Sequence, residues 1–174
     1  HSLKHKFKIL YKGKNNFVAH ECILDFRDLK SKTGLSVNDL AKRLIDYSFH
    51  APTISWPVPE TIMIEPTESE SLVELDRFCE AMLLIGEEIS EIEKNIELKN
   101  NNVISNAPHT LKELIADNWH YPYSKEKASF PYKTPTTIKF WSSVSRINNA
   151  YGDRNLICSC NVNQGETFEE KKCA

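Results

Sequence analysis

His50, Thr53, Ser55, Trp56, Thr61, Glu65, Thr67 and Glu68 are interleaved with Pro52, Pro57, Pro59 and Pro66, which are half of the chain's eight prolines. Each proline fixes its own φ and pushes the preceding residue toward extended geometry. The backbone over residues 47–69 is therefore held in one shape with little regular hydrogen bonding. An imidazole, hydroxyls, carboxylates and an indole on a stiff backbone are what a wall of a binding site requires. The plainer alternative is a rigid crossover between a helix and a strand, with its polar groups solvated or capping an element. Spacing alone leaves both readings open.

Other residues offer different chemistry. His20 and Glu21 fall in an apolar run over residues 17–26 that reads as a strand, with Arg27 just past it. Strand side chains alternate, so His20 and Glu21 cannot both line one pocket unless the strand ends or bulges there. The Arg27 fork suits a carboxylate, against the simpler salt bridge to Asp25 or Asp28. Cys158 and Cys160 are too close for an ordinary structural zinc half-site and lack a second cysteine pair, so no metal is expected. A redox-sensitive thiol there is the functional alternative.

Several elements would have to position these groups. Residues 7–11 and 17–26 can pair as a hairpin across the turn cluster at Gly13, and residues 30–34 read as a loop. Ser36 with Asp39 forms a capping-box pattern ahead of Leu40, Ala41, Leu44 and Ile45 at helical spacing. Pro52 stops that helix near His50, whose protonated form a helix C-terminus favours. Residues 61–64 are a short strand. Thr67 with Glu70 predicts the start of the longest helix, whose apolar face runs through Leu72, Leu75, Phe78, Cys79, Met82, Leu83, Ile85, Ile89, Ile92 and Ile96. Glu80, Glu87, Glu88, Glu91 and Glu93 form its solvated side, and Cys79 is a core thiol. A short helix over residues 110–116 is followed by an extended, aromatic-rich segment over 119–132. A helix then begins at Phe140 and ends near Gly152, leading to a final strand over 156–160. Residues 161–174 are polar and expected to fray.

A chain of 174 residues fits one domain with a real core. A net charge of −2 excludes a basic nucleic-acid or membrane footprint. Five scattered cysteines and no Asn-x-Ser/Thr acceptor suit a reducing compartment. No apolar run is long enough to span a bilayer, and no signal peptide is evident. His1 rather than Met opens the chain, and the residues after it read as already structured. The expectation is the C-terminal piece of something longer, with any targeting signal upstream.

The blocks Phe49-His-Ala-Pro-Thr-Ile-Ser-Trp-Pro-Val58 and Met63-Ile-Glu-Pro-Thr-Glu-Ser-Glu70 resemble the C-terminal domain of the glycine cleavage system P protein family. So do Ala19-His20-Glu21-x-Ile23-Leu24-Asp25-x-Arg27, Ala41-Lys42-Arg43-Leu44-x-Asp46-Tyr47, Glu74-Leu75-Asp76-Arg77-Phe78-Cys79 and Tyr151-Gly152-Asp153-Arg154-Asn155-Leu156-Ile157-Cys158-Ser159-Cys160. The resemblance runs in register from about residue 10 to 160. It departs in content over 94–117 and after Cys160, and at Ile54 where the family has Met.

The resemblance implies a small α/β domain, spanning 1–160, of a fold type I, aminotransferase-like pyridoxal-phosphate enzyme. It implies an oxidoreductase of glycine catabolism that decarboxylates glycine, releases CO2 and passes the aminomethyl group to the lipoyl arm of the H protein. The implied setting is the mitochondrial matrix in a eukaryote, or otherwise the cytoplasm. The large domain would carry the cofactor lysine. This chain has no such motif, and Lys42, Lys125 and Lys133 are ordinary surface lysines, so alone it should be inactive. His20, Glu21, His50, Thr67 and Glu68 become candidates for the face turned to the active site and lipoyl channel. Arg27 is a candidate substrate contact. The rival is a non-catalytic interaction module from a split or decayed gene.

Overall fold

The computed structural model describes residues 2–95, 98–132 and 139–157. Strands β1 (Lys8–Leu10), β2 (Cys22–Asp25), β3 (Thr53–Ile54) and β4 (Thr61–Ile64) form one sheet in the order β1-β2-β4-β3. Every pairing is antiparallel. Leu24 lies opposite Ile62 in the central pair, and both are fully buried. Ile23 and Met63, paired on the opposite face, are buried too. Helices α1 (Leu29–Thr33), α2 (Val37–Asp46) and α3 (Leu72–Glu93) supply most of the remaining core, including Leu40, Leu44, Met82, Ile85 and Ile92. Shorter helices α4 (Leu111–Ile115), α5 (Lys125–Ser129) and α6 (Asn149–Arg154) follow. The domain thus mixes helices and strands, α/β in content.

Helix α2 starts at the expected capping box: the Ser36 N–H and hydroxyl both donate to Asp39 Oδ2, at 2.7 and 2.8 Å. Glu60 adds a second cap from the 55–60 turn, its carboxylate accepting from the Val37 N–H at 3.1 Å. The helix does not reach His50. Ser48 turns left-handed at φ 64°. Its N–H donates to Ile45 O, and the Phe49 N–H to Leu44 O at 3.0 Å. That bond pair is a Schellman ending with serine in the usual glycine position. It closes the helix at Asp46, four residues before His50, so His50 does not lie in the last helical turn as expected.

Several further expectations are overturned. The second strand covers only residues 22–25, and residues 29–33 form a short helix where a loop was expected. Helix α3 begins at Leu72, not after Thr67. Ser71 and Glu74 repeat the Ser/Thr-x-x-Glu pattern four residues on, and the Ser71 hydroxyl accepts from the Glu74 N–H. The Thr67 hydroxyl instead meets Ser69 Oγ at 2.9 Å. Leu72 and Leu83 are exposed, and Cys79 is only half-buried. The aromatic segment is broken by turns and α5 instead of running extended. The last helix starts after Asn148, so Gly152 lies inside it and Asn155 is its C-cap. Leu156 and Ile157 are exposed and belong to no strand, while Cys158, Cys160, Lys133 and the 161–174 tail lie outside the described residues.

Glu88 is the largest departure: it is buried, not solvated. Arg43, fully buried on α2, donates to it through Nε at 3.0 Å and NH2 at 2.6 Å. NH1 donates to Asp46 at 2.9 Å and to the Ala128 carbonyl, and NH2 also reaches the Lys127 carbonyl. Those bonds use all five guanidinium N–H groups. Burial opposes the Arg43 charge, but Glu88 and Asp46 outweigh it and hold the guanidinium charged. Asp46 also accepts from the His109 backbone N–H and from His109 Nδ1, each at 2.8 Å. His109 Nε2 lies 2.9 Å from the Tyr123 hydroxyl. The chain beyond returns to α2. Lys139 donates to the Asp46 carbonyl, the Phe140 N–H to Ser48 Oγ, and Arg146 pairs with Asp39 and the Ala107 carbonyl.

The N-terminal segment crosses α3 at Gly86. Leu3 and Phe7 are buried there, and Lys6 Nζ donates to Ser90 Oγ at 2.8 Å. A Cβ on Gly86 would stand 2.6 Å from Lys6 Cε and 3.0 Å from Phe7 Cζ, so any larger residue there must displace the lysine stem and press on the Phe7 ring.

Candidate functional site

The sheet register sorts the candidates. Cys22 pairs with Ile64, and Thr53 pairs with Met63. His20 and Glu21 precede Cys22, His50 precedes Thr53, and Thr67 and Glu68 follow Ile64. All five therefore come to one end of the sheet. Asp25 pairs with Thr61 at the other end, and Arg27 leaves the sheet there.

At the first end lies a groove of about 520 Å³. Its walls come from the loop after α2, β4 and the chain beyond it, and the first two turns of α3. Phe49, His50, Pro52, Thr53, Met63, Glu65, Thr67, Glu70, Glu74, Leu75 and Phe78 are among its lining residues. His50 and Thr67 of the candidates line it; His20, Glu21 and Glu68 do not. His20 Nε2 lies 3.5 Å from Glu21 Oε1, and both belong to the open rim of the sheet end. Because strand β2 begins only at Cys22, the alternation rule does not separate them.

His50 Nδ1 lies 3.0 Å from the Ala51 carbonyl oxygen, which can only accept. The proton is on Nδ1, and Nε2 is left as the nitrogen for a ligand to meet. Thr53 Oγ1 reaches Glu65 at 3.5 Å. Phe49 packs edge-on to Phe78, ring centroids 5.2 Å apart. Behind them the Arg77 guanidinium lies 3.8 Å from the centre of the Phe49 ring and forms a fork on Glu74, with NH2 2.7 Å from Oε2. That bond holds the Glu74 carboxyl below its ordinary range. The groove thus has aromatic and aliphatic walls, one imidazole, hydroxyls and three carboxylates, one of them paired. Among the described residues no Lys or Arg lines it. Its chemistry suits an apolar chain with hydrogen-bonding or positively charged ends.

The other candidates have other work. Arg27 binds Asp25, through Nε at 2.9 Å and NH2 at 2.7 Å, so its fork is occupied. Arg27, despite burial and with help from Lys8, holds the Asp25 carboxyl well below its ordinary value of 3.8. The folded state therefore favours the carboxylate. This contribution is complete above the unfolded value and is lost as pH falls through it toward the folded one. Urea unfolding of Asp25→Asn should show a shallower loss of stability below about pH 4 than the parent chain; equal acid slopes would contradict this. Lys42 is half-buried, with burial and then Arg146 lowering its pKa, and Lys125 donates to the Ala116 carbonyl. Burial pushes Lys139 down to about 8, but its amine bonds the end of α2, away from the groove lining. Among the described residues no group of His, Cys, Asp or Glu converges as a metal site, and no helix is long and apolar enough to cross a membrane.

Sequence reasoning missed Phe49, Glu70, Glu74, Phe78 and Arg77 as parts of one site. A signal existed: Glu74, Arg77 and Phe78 are spaced three and four apart, one stripe of a helix, directly after the proline-rich stretch.

The family model described as glycine dehydrogenase, C-terminal domain, matches residues 1–109. Glycine dehydrogenase (decarboxylating) of Prochlorococcus marinus (strain NATL1A) is 60% identical over 154 residues, covering 88% of this chain and 16% of that protein. The mitochondrial glycine dehydrogenase (decarboxylating) of Dictyostelium discoideum is 58% identical over 160 residues, covering 91% and 16%. That of Thermosynechococcus vestitus is 56% identical over 156 residues, covering 90% and 16%. The chain spans 16% of the length of these curated relatives. The matched segment includes the whole sheet, all the groove walls and the Arg43–Glu88–Asp46 cluster, and on these grounds the chain belongs to the glycine dehydrogenase C-terminal domain family.

Proposed function

We propose that this chain serves as the C-terminal domain of a glycine dehydrogenase (decarboxylating) of the glycine cleavage system. In this reading the whole enzyme has the aminotransferase-like fold type I and uses pyridoxal phosphate. It decarboxylates glycine, releases CO2 and hands the aminomethyl group to the lipoyl arm of the H protein. It acts in the mitochondrial matrix or in the bacterial cytoplasm. The groove and the sheet end beside it form a wall of the active site and of the lipoyl path.

The supporting observation is the arrival of His20, Glu21, His50, Thr67 and Glu68 at one sheet end, beside a groove with apolar walls. Pyridoxal phosphate supplies the electron-sink chemistry when bound to such an enzyme. The groove does not fit that cofactor. Its phosphate would face the unpaired Glu65 and Glu70 carboxylates, since Arg77 neutralises only Glu74, and among the described residues no lysine or arginine lines the groove to hold it. No step is therefore assigned to cofactor contact by this chain. What its residues can do is exclude water along the apolar walls, orient an incoming arm, and accept or donate a proton at His50 Nε2.

The test uses full-length enzyme carrying this domain, assayed for H-protein-dependent exchange of CO2 with glycine. His50→Ala should lower exchange by about tenfold or more if the imidazole meets a reacting group. Arg27→Ala, at the far end of the sheet, should leave it unchanged. Equal activity of His50→Ala and a Thr67→Val, Glu68→Gln double variant to the parent would remove this reading and favour the interaction module.

A further inference from the structure

We propose that Arg77 is a positioning residue for the groove, fixing Phe49 as the wall against which the apolar part of the incoming arm lies. The proposal rests on the reading of the groove just given.

Phe49 completes the Schellman ending of α2 through its N–H, which holds its backbone but leaves its side chain a choice of rotamers. Two contacts remove that freedom. Phe78 meets it edge-on at 5.2 Å, and the Arg77 guanidinium covers it at 3.8 Å. Arg77 is itself fixed from three directions. Nε and NH2 bind the Glu74 carboxylate, NH1 donates to the Tyr47 carbonyl at 3.1 Å, and NH1 reaches the Tyr132 hydroxyl at 3.4 Å. One planar fork thus ties the end of α2, the first turns of α3 and the chain after α5, and its face is left to stack on Phe49. It also neutralises Glu74, so that carboxylate lines the groove without a free charge. Lysine at this position would keep the charge but has no planar face to stack on the ring, and its three donors radiate from one nitrogen instead of being spread across a fork. A purely structural tie would be served by the hydrogen bonds alone. The stack on a lining ring is what connects Arg77 to ligand affinity.

The test compares Arg77→Lys, Phe49→Leu and the double variant in full-length enzyme, with thermal unfolding as the control for folding. Arg77→Lys should raise KM for the lipoylated H protein by about tenfold while kcat and KM for glycine stay within about twofold. Phe49→Leu should do the same, and the double variant should be no worse than Phe49→Leu alone, because both remove one wall. If Phe49→Leu shifts KM for the H protein and Arg77→Lys does not, the groove reading stands and the role of Arg77 is overturned. A parallel fall in kcat and in affinity for both substrates, tracking a lower Tm, would make Arg77 a structural tie only. If neither variant moves any kinetic constant, the groove reading falls, and this proposal with it.

Discussion

Arg43→Leu should lower the unfolding free energy by about 3–5 kcal/mol, the range for breaking a buried ion pair by removing one partner. The side chain is fully buried and uses all five of its donors. Its loss strands the Glu88 and Asp46 charges without their cation, although the Tyr47 hydroxyl still donates to Glu88 and His109 to Asp46, and takes a donor from each of the Lys127 and Ala128 carbonyls. Domains are stable by about 5–15 kcal/mol, so this one change removes a large share of the total. Urea unfolding followed by circular dichroism measures it. The double variant Arg43→Leu, Glu88→Leu should recover part of the loss, since it removes one of the stranded charges. A single variant as stable as the parent would show that water or relaxation satisfies Glu88, contrary to the closed geometry seen here.

Gly86→Val should destabilise by about 1–3 kcal/mol, the usual range for overpacking a filled site. The added Cβ meets the Lys6 stem at 2.6 and 2.9 Å and Phe7 at 3.0 Å. The Lys6 end can swing away, but Phe7 is held in the core against Phe26, with ring centroids 5.4 Å apart. The N-terminal segment must lift off α3. A Gly86→Ala variant separates the two contacts: it should cost less in a Lys6→Ala background than in the parent, because the lysine stem is then absent. The same cost in both backgrounds, measured by thermal unfolding, would assign the strain to Phe7 alone.

The parts of the fold legible in the sequence were those with local signatures. Strand β4, the capping box at Ser36 and the short helix after Thr110 lie where side-chain type and spacing put them. Misreadings came where two local signals competed or where a distant partner decided. Thr67-x-x-Glu70 and Ser71-x-x-Glu74 are equally good starts, and only the second matches where the chain turns onto the core. Ser48 adopts a conformation that glycine usually takes, so the end of α2 carried no glycine to mark it. Glu88 was read as solvated because it is charged, although it stands three residues after Ile85 and four before Ile92, inside the apolar stripe. Its partner Arg43 is 45 residues away, and no local pattern joins them. The candidate site divides in the same way. His50 and Thr67 sit in the proline-rich stretch that its composition singled out. The α3 side chains that complete the groove were absorbed into a helix read only for its core face.

The same cluster has a consequence for the order in which a growing chain can fold. Arg43 leaves the ribosome with Asp46 three residues behind it, Glu88 45 behind and the Ala128 carbonyl 85 behind. The sheet and α2 can be made early, but the guanidinium cannot be sealed from water until residue 128 has emerged. Burying it sooner would enclose a charge with part of its shell missing. Synthesis runs at about 5–20 residues per second. The interval between the first core contacts and this last closure is then several seconds, during which the surface that α5 will cover stays open to chaperones.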